Sequence, residues 1–200
     1  MQEAAAVGNY NAVVALVEAG ANVIFINSIT KRTPLIDALE SYEVNRFLIA
    51  NYLVDQGADV HHSITKHGIG NALAESIFYY GVSMKESYDF FQRMISLDGN
   101  PYIYVSPGNI LLKSAFEKHK LVMVYLLEND LFDVNVVNKA GFSALMFLAR
   151  FTIDELNIEM VNILLEYDAD KTLVNEDGMT AYDYALETGN PKLIELLRFE

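Results

Sequence analysis

The run of residues from Asn175 to Arg198 is written several times over in this chain, and that repetition limits the possible folds more than any other feature. It reads as a polar turn, a threonine, a short helix, a Gly189-Asn190 break, and a second helix carrying Leu193, Ile194, Leu196 and Leu197. With Thr180 as the marker, the counterparts further up the chain are Ser143, Asn109, Asn71 and Thr33, at spacings of 37, 34, 38 and 38 residues. A chain built by such repetition is a stack of small units, none of which can bury its apolar face alone.

The markers have a local physical meaning. Thr, Asn and Ser are residues whose side-chain oxygen accepts an orphan N–H of a first helical turn. Pro34 follows Thr33 at the first helical position, where a missing donor costs nothing. The residue two after each marker (Leu35, Leu73, Leu111, Leu145, Tyr182) is apolar or aromatic and is predicted to point into the stack. The second helix of each unit ends in a related way, with Gly20-Ala21-Asn22-Val23, Gly57-Ala58-Asp59-Val60 and Asp168-Ala169-Asp170. Glycine suits the left-handed residue that closes a helix; Asp130 and Asp168, standing where glycine is expected, should close theirs less favourably.

A period in the mid-thirties, with one turn and two helices per unit, resembles the ankyrin repeat. Thr33-Pro34-Leu35-Ile36-Asp37-Ala38 matches that family's signature hexapeptide except at its fourth and fifth positions, whereas Thr180 to Ala185 keeps only the first and last. The likeness runs from about residue 4 to 198 and is weakest from Phe78 to Pro107. It implies an all-α solenoid of five to six helix-turn-helix repeats with short extended turn arms. The expected organisation is a single domain over 1–200, with repeats near 1–26, 27–62, 63–102, 103–136, 137–173 and 174–200. The first repeat lacks its turn, which suggests a short N-terminal cap or a truncated unit. Longer links are expected between Ala38 and Asn45 and around Thr152 to Glu155.

Composition narrows the function. Twenty-seven acidic against 14 basic residues give a net charge of −13, so phosphate backbones would be repelled and nucleic acid is not an expected partner. An acidic surface serves solubility in many proteins; where it serves binding, a basic protein fits it best. Cysteine is absent, which excludes disulfides and thiolate chemistry and is compatible with a cytoplasmic protein. No apolar run approaches the roughly 18 residues of a membrane span.

Catalytic groups are hard to find. His61, His62 and His67 lack helical spacing and read as turn residues rather than a metal site. His119 takes the place of a histidine that is structural in the ankyrin family. Gly68-Ile69-Gly70 lacks the rest of a phosphate loop, and Ser63, Ser76 and Ser114 lack a nucleophile elbow. No enzyme activity, cofactor or metal is expected.

In the ankyrin family the turn tips and inner helices line a concave, partner-gripping face. By position this resemblance places Arg32, Tyr42, Phe78, Tyr79, Phe116, Lys139, Phe142, Arg150, Phe151 and Met179 there. Aromatic residues and arginine dominate protein interfaces. Phe78, Tyr79, Phe116, Phe142 and Phe151 could form one apolar patch, although the aromatics near Phe78 could instead pack beneath their own loop. The expected function is a monomeric, non-catalytic module that binds another protein. One alternative is an acidic inhibitor or immunity-type protein that neutralises a toxic enzyme. Another, suggested by the mid-repeat start, is a targeting fragment of a larger, exported or multidomain protein.

Overall fold

The computed structural model describes residues 1–64, 70–77, 83–102, 108–150 and 154–199. The chain divides into two compact units, Met1–Ser106 and Pro107–Glu200, and the division falls beside the irregular stretch of the sequence. The first unit holds α1 (Gln2–Ala6), α2 (Tyr10–Glu18), α3 (Pro34–Leu39), α4 (Arg46–Asp55), α5 (Ala72–Glu75) and α6 (Met84–Ser96). The second holds α7 (Ile110–Phe116), α8 (Lys120–Glu128), α9 (Ala144–Arg150), α10 (Glu155–Glu166), α11 (Ala181–Thr188) and α12 (Pro191–Leu197). The described residues contain no strand; Val137 and Ser143 form an isolated antiparallel bridge.

Each unit is two rows of helices. In the first, α1, α3 and α5 pack side by side as an inner row, α2, α4 and α6 form the outer row, and each inner helix pairs with the outer helix that follows it. The second repeats the scheme with α7, α9 and α11 inside and α8, α10 and α12 outside. This is the all-helical repeat architecture expected from the sequence.

All five markers cap their inner helices. Thr33, Asn71, Asn109, Ser143 and Thr180 accept the N–H of Ile36, Ala74, Leu112, Met146 and Asp183 at 3.3, 3.0, 2.9, 3.3 and 3.1 Å. Thr180 adds a capping box, because its own N–H and hydroxyl both donate to the Asp183 carboxylate. Those two bonds hold the Asp183 carboxyl below its ordinary pKa. Leu35, Leu73, Leu111 and Leu145 are buried as predicted. Tyr182 is not: it is only half-buried, its ring 5.7 Å from that of Phe199, while Tyr184 is the tyrosine that points inward.

The outer helices before the last, α2, α4, α6, α8 and α10, stop in one way. Gly20, Gly57, Asp98, Asp130 and Asp168 all have positive φ, from 49° to 86°. Each donates its N–H to the carbonyl three residues back, and the next residue reaches the carbonyl five back (Gly20 to Val17 and Ala21 to Leu16; Asp168 to Leu165 and Ala169 to Leu164). The chain then enters an arm started by a side-chain carbonyl or carboxylate. Asn22, Asp59, Asn100, Asp133 and Asp170 each accept the N–H two residues on, at 2.7–2.9 Å.

The turn tips are closed by an asparagine that the sequence reading did not single out. Asn27 takes the N–H of Ile29 and Thr30, Asn138 those of Ala140 and Phe142, and Asn175 those of Asp177 and Met179, all within 3.0 Å. Neighbouring turns also touch in the second unit. The Glu176 N–H donates to the Ala140 carbonyl at 3.1 Å, and a Cβ on Gly141 would lie 2.8 Å from the Asn175 Cα.

Two buried basic side chains complete the scaffold. Arg46 closes the long link before α4 by donating Nη1–H to the Ser41 carbonyl at 3.1 Å, and burial lowers its pKa to about 10. His119 caps α8: its Nδ1 accepts the Val122 N–H at 3.3 Å, and burial pulls its pKa down to about 4. It is therefore a neutral structural group, in keeping with its expected role.

Candidate protein-binding face

The inner row is where side chains vary while the backbone repeats. Four residues after each cap stand Asp37, Glu75, Lys113, Phe147 and Tyr184, all buried. In the second unit the last two build an aromatic row. The Phe116 ring meets Phe147 edge-on at 5.7 Å, Phe147 stacks on Phe142 at 5.2 Å, and Phe142 lies 5.7 Å from Tyr184. The Tyr184 hydroxyl accepts the side-chain N–H of Asn175 at 2.7 Å, which ties the row to the neighbouring turn. Edge-on and offset ring pairs of this kind add roughly 0.5–1.5 kcal/mol each beyond the area they bury.

Arg150, the last residue of α9, covers this row. Its guanidinium carbon lies 5.2 Å from the Phe142 centroid and 5.6 Å from that of Tyr184, and the residue is exposed to solvent. Cations over ring faces are attracted by the ring quadrupole. Phe116 is 42% exposed, Phe142 only 8%. Of the predicted contact residues, the structure thus brings Phe116, Phe142 and Arg150 together, with Phe142 as the buried support rather than a surface group. Phe147 and Tyr184 are members the sequence reading missed. Their equal distance from the helix caps was the available signal.

The other predicted residues are placed separately. Lys139 is exposed at the turn tip before α9, and Met179 is half-buried at the tip before α11. Tyr42 is 75% exposed beside α3. Arg32 is half-buried, and its guanidinium pairs with both Asp37 and Glu40 of α3. It is held within its own unit. Phe78, Tyr79 and Phe151 lie outside the described residues. Among the described residues no cluster of three or more His, Cys, Asp or Glu side chains is placed to hold a metal ion, and no helix is long and apolar enough to cross a membrane.

Residues 111–200 match the family described as ankyrin repeats, three copies. No curated protein matches closely enough to count as a relative. Solved structures do match along nearly the whole chain. One is described as a predatory endopeptidase from Bdellovibrio bacteriovorus in complex with an immunity protein; the chain matched there is 24% identical, with a TM-score of 0.74 over 98% of this chain and 95% of that one. EF0377, an ankyrin repeat protein, gives 24% identity and a TM-score of 0.70 over 98% and 94%. An ankyrin repeat domain from Acinetobacter baumannii gives 18% and 0.73 over the same shares. These identities speak for the fold alone. Residues 111–200 thus carry the ankyrin-repeat sequence pattern, and the chain shares the ankyrin-repeat fold over nearly its whole length.

Proposed function

We propose that this chain is a non-catalytic protein-binding module whose partner docks on the inner-helix and turn-arm face. Ankyrin repeats are interaction scaffolds, and the observation that supports the face is the aromatic row of the second unit. It is packed on one side and presents Phe116 and Arg150 on the other, the residue types that carry binding energy at protein interfaces. The test is a photo-crosslinking residue placed singly at Phe116, Arg150 or Glu166 in cells that express the chain. Capture of one same protein from the first two positions and not from Glu166, on outer helix α10, is the expected result. Capture from Glu166 alone would move the site to the outer row.

A second reading is an acidic inhibitor or immunity-type protein that masks a basic enzyme. The net charge of −13 favours it. One matched structure contains an endopeptidase with an immunity protein, although its low identity bears on fold only. Such a complex would associate quickly and lose association rate steeply as salt rises, whereas a general scaffold would respond weakly.

A further inference from the structure

Arg150 is held by aromatic rings rather than by a carboxylate. Arg32, Arg93, Lys85, Lys118, Lys120 and Lys192 each pair with a carboxylate of the chain. Arg150 lies over two rings, and no carboxylate among the described residues pairs with it, in a protein with 27 acidic residues. Asp183, next to Tyr184 in sequence, has its carboxylate engaged by Thr180. The guanidinium lies over both the Phe142 and Tyr184 rings, and the residue is exposed to solvent. A guanidinium seated over rings in this way loses less freedom on forming two parallel hydrogen bonds to a carboxylate.

We propose that Arg150 is the docking point for a carboxylate of the partner, carried by a short segment that also places an apolar side chain on Phe116. This rests on the face assigned under Proposed function and names what that face reads. Three contacts of 5.2, 5.2 and 5.7 Å lead from Arg150 through Phe142 and Phe147 to Phe116, so at most about five extended residues would span the two ends. The acidity of the whole molecule does not oppose this. Net charge acts at long range and favours a partner that is basic overall, while one carboxylate at Arg150 acts at contact and fixes the alignment. A polyphosphate or nucleic acid would meet the −13 charge before reaching Arg150.

The experiment pans random short peptides displayed on phage against the full chain, then measures one selected peptide by fluorescence anisotropy. The expected peptides carry Asp or Glu a few residues from an apolar side chain. Arg150→Met, which keeps the cover over the rings, should weaken binding roughly ten- to a hundredfold. Amidating the peptide's acid should weaken it equally on the native chain and hardly further on the variant. Arg150→Gln repeats the test should the Met variant fail to show the native melting curve. Peptides without an acid that still depend on Phe116, shown by Phe116→Ala, would overturn the carboxylate and leave the face intact. Peptides indifferent to both substitutions, or no enrichment, would overturn both. Displacement of the peptide by inorganic phosphate at equal concentration would also overturn it, in favour of a phosphorylated ligand.

Discussion

The two units use one backbone for two different faces. Four residues after the caps, the first unit places Asp37 and Glu75, and the second places Lys113 and then Phe147 and Tyr184. Around Asp37 grows a charged network with Arg32 and Glu40; around Phe147 and Tyr184 grows a row of rings under Arg150. The caps, helix stops and arms are the same in both. The lesson is that stacking tolerates either chemistry at this position, provided the backbone hydrogen bonds around it are satisfied locally.

The largest test asks whether both units cohere by the same interhelical packing. Leu35→Ala in α3 and Leu164→Ala in α10 each delete a fully buried side chain and should cost ~2–5 kcal/mol in urea denaturation. An unshifted midpoint for either would mean that its unit is held by something else.

Acid should separate the units next. The first caps α2 with Asn9, which accepts the Ala12 N–H at 3.1 Å and does not titrate; the second caps α8 with buried His119. His119 is neutral in the fold down to about pH 4, against an ordinary value of 6.5, so between these values the unfolded chain binds the extra proton. Stability therefore rises with pH in this window. The contribution is complete above about 6.5 and disappears as pH falls towards about 4, on the order of 3 kcal/mol in all. His119→Asn, which copies the cap of α2, should flatten that part of the stability–pH curve measured by denaturant titration.

Caps come next in size. Thr33→Ala and Thr180→Ala should each cost ~1 kcal/mol, the second the more because the Asp183 carboxylate also loses the Thr180 hydroxyl as a donor. Equal melting curves for native and substituted chains would remove the caps from the account. The smallest effect concerns the stops. Asp168→Gly, which copies Gly57, should stabilise the second unit by ~0.5 kcal/mol by relieving a positive φ of 61°. Gly57→Asp should cost a similar amount in thermal melts.

Much of the scaffold could be read from the sequence because its devices are local. A cap at Asn109 or a stop at Asp168 depends on a handful of adjacent residues, and the spacing of such signals carried the repeat pattern through the irregular middle. The face was less legible because it depends on what folds back from elsewhere. Arg32 falls on the face by position, and only the fold shows that α3 brings Asp37 and Glu40 onto it. Phe142 reads as a surface aromatic until Phe147 and Tyr184 enclose it. Tyr182 and Tyr184 are two positions apart on one short helix, and which of them turns inward is decided by the neighbouring repeat.

Gly141 has one more consequence. Its missing methyl lets one turn lie against the backbone of the next, and so acts as the gauge for the pitch between successive repeats in the second unit. The residues immediately after it, Phe142 and the helix bearing Arg150, inherit that pitch. A single added carbon would push against the Asn175 backbone and shift the turn that carries Phe142, so the proposed face depends on a glycine that touches no partner.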